Sequence, residues 1–254
     1  MSGLHLTLIG IGTGNPEHLT LQAIRAINAQ DLILIPRKGP GKGDLAELRR
    51  AICDEVLSNE TTRIVEFDLP VRDEATADYR RRVDDWHDAI AEAWRAAMSG
   101  QPDAARAALL VWGDPSLYDS TLRIAARLDP APKVEVIPGI TSLQALTAAH
   151  AIPVNDIGAP FLVTTGRRLR EEGWPAGIDT LAVMLDGGCA FADIDPDGVH
   201  IWWGGYVGMP EQIICEGPLA EVAERIVQMR AEARARHGWI MDIYILRRDY
   251  SVRP

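Results

Sequence analysis

The sequence predicts an α/β protein of two domains, an N-terminal one built on a mostly parallel sheet and a C-terminal one on a mixed sheet. Three observations point there. Short apolar runs alternate with amphipathic stretches through the first half, the order that builds βαβ units. A strand followed by a glycine turn and a helix-like segment recurs three times in that half, after "LHLTLIG", "AALLVWGDP" and "KVEVIPG". Beyond His150 strand-like runs dominate and one strong helix remains.

In chain order, "LHLTLIG", "LTLQAIRAINAQ" and "DLILIP" read as strand, helix and strand. Residues 75–100 read as a long helix, because Tyr79, Val83, Trp86, Ile90, Trp94 and Ala97 recur at spacings of three and four, with Gly100 as its stop. Two strands follow, and the second leads into "TSLQALTAAH", which Thr141 or Ser142 can cap. In the second half "FLVTTG", "TLAVML", "VHIWWGG" and "WIMDIYIL" are strands and Pro218 to His237 is a helix. The change of pattern around "AIPVNDIGAP" sets the expected domains at 1–145 and 146–254.

Bulk composition excludes several classes of function. The 254 residues are 47% hydrophobic and 24% charged, ordinary values for a globular protein with a substantial core. A net charge of −10 argues against a nucleic-acid partner, which needs a basic surface. The three cysteines, Cys53, Cys189 and Cys215, form no close pair, so no disulfide framework or metal site is expected and a reducing, cytoplasmic setting is. No leader pattern opens the chain, and no apolar run approaches the roughly 20 residues that span a bilayer, so no membrane partner is expected.

The stretch "IGIGTGNPEHLT" raises the possibility of a dinucleotide site, since Gly10, Gly12 and Gly14 follow a strand. The fingerprint for such a site is G-x-G-x-x-G, and here the third glycine comes one residue early. Asn15 stands where glycine is needed, Pro16 biases it away from helical geometry, and the next strand ends in Pro36, Arg37 and Lys38 without the ribose carboxylate. Basic residues there would suit only a 2′-phosphorylated nicotinamide cofactor, and a tight turn alone would also explain the glycines.

Three segments in register point elsewhere: "IGIGTGNPEHLTLQAIRAINAQDLIL", "VWGDPSLYDS" and "VEVIPGITSLQALTAAHAIP". Together they resemble the tetrapyrrole methylases, which methylate the macrocycle on the way to vitamin B12 and sirohaem with S-adenosylmethionine. The resemblance implies the two α/β domains already inferred, with the active site in the cleft between them. It also implies that the glycine loop, with Gly12, Thr13, Gly14 and Asn15, lines the trough for the macrocycle. The donor is then expected at the "GDP" turn with Gly113, Asp114, Leu117 and Tyr118, at Thr141 and Ser142, and in the second domain at Met184, Pro218, Leu219, Met241 and Asp242. Each has a plainer reading: Asp114 as the cap of a helix begun by Pro115, Thr141 and Ser142 as caps, and Met184 as core. The stretch "GGYVGMPEQ" departs from many relatives, which carry Gly-Thr and glutamine there.

A macrocycle bearing acetate and propionate groups is a polyanion, and residues 37–50 offer a local balance of +3, with Arg37, Lys38, Lys42, Arg49 and Arg50 against Asp44 and Glu47. With Gly39, Gly41 and Gly43 the segment reads as a mobile loop that closes over substrate, or as a solvated surface loop. Arg37, Lys38 and Lys42 are the expected substrate contacts; Arg167, Arg168 and Arg170 are a second basic cluster. "RKGPGKGDLAELRR", "WGDPSLYDS" and "GWIMDIYILRR" narrow the resemblance to methylation of carbon 1 of precorrin-5 with loss of the acetyl group as acetate. Methyl transfer needs positioning more than a nucleophile, whereas acetate release needs a base or an oxyanion donor. Candidates are Asn15, Glu17, His18, Tyr118 and Asp119. By likeness the expected partners are the tetrapyrrole itself, a second copy in a homodimer and transiently the neighbouring pathway enzymes. A methylase of another macrocycle position, an oxidoreductase and a non-catalytic tetrapyrrole carrier are the competing classes.

Overall fold

The computed structural model describes residues 3–37, 44–72 and 78–248. By their internal packing these form two compact units, Met1–Thr141 and Ser142–Pro254.

The first unit holds a five-stranded sheet of order β3-β2-β4-β1-β5 in which every pairing is parallel. Its strands are β1 (His5–Gly10), β2 (Leu32–Arg37), β3 (Arg63–Asp68), β4 (Arg106–Val111) and β5 (Lys133–Ile137). A parallel sheet covered on both faces needs near-continuous apolar strands, and alternate side chains fill two separate cores. Leu6, Leu8, Leu34 and Leu109 pack with Ile90, Trp94 and Met98 of α3 (Tyr79–Ser99) on one face. Ile9, Ile33, Ile35 and Leu110 pack on the other with Ile27 of α1 (Leu21–Asn28) and Ile52 of α2 (Asp44–Val56). Caps fix the helix starts: Thr20 Oγ1 accepts from the Ala23 amide at 3.0 Å, and Asp78 Oδ1 from that of Arg80 at 2.8 Å. The short α4 (Thr121–Ala125) follows β4.

Residues 44–50, expected as part of a loop, instead open the 13-residue α2, whose Ala46, Ile52 and Cys53 are buried. The rest of the expected loop, with Lys38 and Lys42, lies outside the described residues. β3 was absent from the sequence reading because an edge strand with half-exposed faces shows little apolar signal.

The second unit opens on α5 (Ser142–His150), ahead of the boundary expected at 145 and 146. Leu143 and Leu146 of α5 pack with Ala182, Trp202 and Ile243, all residues of this unit. Its sheet has the order β6-β7-β10-β8-β9, with β6 (Phe161–Thr165) parallel to β7 (Thr180–Met184) and β10 (Asp242–Arg248), β8 (Val199–Gly205) and β9 (Ile213–Pro218) antiparallel. α6 (Gly166–Glu172), whose start Thr165 caps, follows β6. α7 (Leu219–His237) presents Leu219, Val222, Ile226, Arg230 and Ala233 to the core and ends at Gly238.

Candidate active site

In open parallel sheets, ligands bind beyond the carboxyl ends of the strands where the winding reverses. Here β1 and β4 lie side by side, yet the chain leaves β1 toward β2 and leaves β4 toward β5. The turns after these two strands therefore sit at the expected crevice, and they are joined. The Gly113 amide donates to the Gly12 carbonyl at 2.7 Å. Gly139, after β5, closes on the same point: a Cβ there would stand 2.1 Å from the Gly113 oxygen and 2.8 Å from Gly10 Cα. Three backbones meet at a distance only glycine permits.

Asp114 fastens this junction. Its Oδ2 accepts from the Gly139 amide at 2.9 Å, and Oδ1 accepts from the Ser116 amide at 2.8 Å and the Ser116 hydroxyl at 2.5 Å. Burial pushes its carboxyl up, but the hydrogen bonds from Ser116 and Gly139 prevail and leave it below the usual carboxylate range. The plainer reading of Asp114 as a helix cap does not hold, because residues 115–118 form turns and the next helix begins only at Thr121. Leu117 closes the turn by donating its amide to the Asp114 carbonyl at 3.2 Å. Tyr118 follows with φ of 50° and an exposed side chain, a left-handed conformation that costs a non-glycine residue about 1–3 kcal/mol. Thr141 Cα would lie 3.5 Å from a Cβ on Gly113. Ser142 begins α5 in the second unit.

The loop after β1 is tied by local hydrogen bonds. Asn15 is extended, as a residue before proline should be, and its Oδ1 caps the 3₁₀ turn Pro16–His18 by accepting from the Glu17 amide at 3.0 Å. His18 Nδ1 lies 2.9 Å from Thr13 Oγ1, and burial lowers the pKa of its imidazole. Gly14 is buried and Glu17 exposed. The Asp119 carboxylate accepts from the Thr121 amide at 2.6 Å and from the Thr121 hydroxyl, so it starts α4.

The basic segment divides on folding. Arg37 pairs with Asp68 at 3.0 Å and Glu66 at 3.6 Å, and Arg50 also pairs with Glu66. Both acids belong to β3, so the expected free cationic rim is neutralised at these two positions. Arg49 alone of the three arginines has no carboxylate within 4 Å among the described residues. Arg170, of the second cluster, pairs with Asp186 and Asp193, and Arg168 with Glu172.

In the second unit Met184 ends β7, and Leu185 beyond it combines φ of 53° with 66% exposure. Asp186 then anchors the turn, accepting from the Ala190 amide at 2.6 Å, the Gly188 amide at 3.0 Å and the Tyr244 hydroxyl at 2.7 Å. The carboxylate of Asp242, expected at the donor, accepts from Arg230 Nε at 2.8 Å and Trp203 Nε1 at 3.1 Å. Leu219 is a fully buried core residue, Pro218 pairs in register with His200, and the Met241 carbonyl accepts from the Tyr206 amide at 2.8 Å. Sequence reading missed Asp186, although an acid directly after an apolar strand and ahead of "GG" was its signal.

The sequence profile of the tetrapyrrole (corrin/porphyrin) methylases matches residues 5–223. The chain belongs to this family. As a tetrapyrrole methylase it is 49% identical over 248 residues to the precorrin-6A synthase (deacetylating) of Sinorhizobium sp, covering 96% of this chain and 95% of the relative. It is 33% identical over 193 residues to the precorrin-2 C(20)-methyltransferase of Sinorhizobium sp, covering 73% of this chain and 75% of that one. The crystal structure of a cobalamin synthesis related protein from Corynebacterium diphtheriae superposes with a TM-score of 0.80 at 36% identity, over 97% of this chain and 100% of that one. Uroporphyrin-III C-methyl transferase from Thermus thermophilus, complexed with S-adenyl homocysteine, shares the fold with a TM-score of 0.60 at 22% identity, over 95% and 91% of the two chains. This tetrapyrrole methylase is thus a methyltransferase with the α/β class read from its sequence, and family membership sets aside the nicotinamide-cofactor reading. Among the described residues no helix is long and apolar enough to cross a membrane.

Proposed function

We propose that the protein transfers a methyl group from S-adenosylmethionine to carbon 1 of precorrin-5 and releases the acetyl group as acetate, giving precorrin-6A. The observation that carries this reading is the 49% identity to a deacetylating precorrin-6A synthase across nearly the full length of both chains. The residues around the glycine junction suit such a donor. The glycines let the Gly10, Gly113 and Gly139 backbones meet, and an ionised Asp114 stands beside them. When bound, the donor supplies an electrophilic methyl on a cationic sulfur. Gly113, Asp114 and Thr141 of the first unit would hold it, and Asp114, with three of about four lone-pair sites occupied, keeps one for a ribose or an amine.

The chain's own work in methyl transfer is positioning, worth on the order of 7–11 kcal/mol for well-oriented reactants. Loss of acetate differs: water adds to the acetyl carbonyl and loses a proton, and the electron pair of the broken carbon–carbon bond passes to the ring. His18 suits that proton. Burial lowers the pKa of its imidazole, and in the tautomer whose Nδ1–H donates to Thr13 Oγ1 the Nε2 atom is the one to receive it. Asn15 has no basic atom, and one oxygen of Asp119 already accepts from Thr121. Incubation with S-adenosylmethionine and precorrin-5 should release S-adenosylhomocysteine and acetate one to one. Donor turnover without acetate would mean methylation at another position, and no turnover would defeat the reading. His18→Gln should slow acetate release by about 10²–10⁴-fold, the usual weight of general base catalysis, and slow S-adenosylhomocysteine formation with it.

A further inference from the structure

Strand β2 follows β4 only from Leu32↔Ala107 to Leu34↔Leu109, whereas β1 follows β4 to Val111. Past Leu109 the β2 side of β4 has no strand partner, and α2 fills the fork with Arg49. Its Nε donates to the Leu110 carbonyl at 2.9 Å and a terminal nitrogen to the Leu45 carbonyl at 3.1 Å. The guanidinium carbon lies 4.8 Å from the centroid of the Trp112 ring, within cation–π range. Burial lowers its pKa to about 10, with the Asp119 charge as a weaker opposing influence, so it remains a cation at neutral pH.

Two features of this pair lack an internal explanation. A guanidinium has five N–H donors; two are used here, both on carbonyls, and no carboxylate neutralises it among the described residues. Beside it the Trp112 indole nitrogen is buried without an acceptor among the described residues, an arrangement that costs about 1–3 kcal/mol. Trp112 directly precedes Gly113 and Asp114 at the carboxyl end of β4, the edge at which parallel sheets receive ligands.

We infer that Arg49 and Trp112 together recognise one carboxylate of the substrate's acetate or propionate side chains, with the unused guanidinium donors and the indole N–H as its hydrogen-bond donors. The assignment rests on the tetrapyrrole reading above. It makes Arg49, fixed on a helix, a specificity-determining contact, and it accounts for a cation kept apart from the acids that neutralise Arg37 and Arg50.

Trp112→Phe keeps a ring for stacking and removes only the N–H, and Arg49→Lys keeps the charge and removes the fork. Three quantities decide: KM for precorrin-5, the dissociation constant of S-adenosylhomocysteine, and the melting temperature. The expected result is a KM raised about tenfold in Trp112→Phe and more in Arg49→Lys, as for loss of a charge-assisted hydrogen bond, with unchanged S-adenosylhomocysteine binding. Unchanged KM with a lowered melting temperature would show a purely structural pair and overturn the inference. Should the parent protein not turn over precorrin-5, calorimetric titration with the octacarboxylate uroporphyrin separates the two claims. Binding weakened by Trp112→Phe upholds the carboxylate site even as the reaction assignment falls, and binding equal in both proteins overturns the site.

Discussion

Arg49 and Arg230 hold equivalent positions in their helices and have opposite fates. Each interrupts the buried stripe of an amphipathic helix, Arg49 between Ala46 and Cys53 in α2, and Arg230 between Ile226 and Ala233 in α7. Arg230 meets Asp242, with side-chain exposures of 10% and 6%, and Trp203 donates its indole N–H to the same carboxylate. Nearby, Asp186 accepts from Tyr244, whose phenol burial holds protonated. Every charge of that constellation is answered within its own unit. Arg49 and Trp112 offer the same two chemical groups with no carboxylate between them among the described residues. Buried polar groups that pair fully report on the fold, whereas one left short of an acceptor demands an explanation, which at the carboxyl edge of β4 the proposed substrate carboxylate would supply.

That contrast predicts unequal costs. Arg230→Met should have the largest effect, removing about 3–5 kcal/mol of stability by stranding a buried carboxylate, which urea unfolding would register as a lower midpoint. Gly139→Ala should follow, with about 1–3 kcal/mol lost to overpacking against Gly113 and, because the junction must shift, loss of S-adenosylhomocysteine binding in calorimetry. Acid comes next. His18, His87 and His200 all have pKa values lowered by burial, and among the described residues neither ring nitrogen of His87 has a hydrogen-bond partner. Protons then bind the unfolded chain first, so stability is full above pH 6.5 and falls as the pH drops through the lowered folded values. The urea midpoint should decline from pH 7 to 5, and His87→Leu should flatten that decline. Arg37→Ala should change least, within about 1 kcal/mol, because its ion pairs are half exposed. A large loss of stability there would blur the distinction between surface and buried pairs.

The sheet order of neither unit was legible in the sequence, but its elements largely were. Apolar runs such as "LTLI" and "LILI" announced strands covered on both faces, and the spacing of Ile90 and Trp94 announced α3. α2 escaped because glycines and a dense charge pattern hid a stripe that has an arginine in it. The basic segment misled for a related reason: counting charge along the chain omits Glu66 and Asp68, which the β2–β3 pairing brings alongside Arg37. Asp114 was legible as an important position, but its bond to Gly139, 25 residues away, was not. Asp242 was named for the donor, and its commitment to Arg230 depends on a helix and strand meeting in space. Glycine spacing in "IGIGTGNP" did signal close backbone approach, and at Gly10 the approaching groups are Gly113 and Gly139 of the same unit.

The central claim, methylation of carbon 1 with deacetylation, is tested most directly by supplying S-adenosylmethionine labelled with ¹³C in its methyl group together with precorrin-5 and following the products by NMR. The account predicts one labelled methyl on the quaternary carbon 1 and free, unlabelled acetate in equal amount. A labelled methyl on any other ring carbon, with the acetyl group still attached, would contradict it.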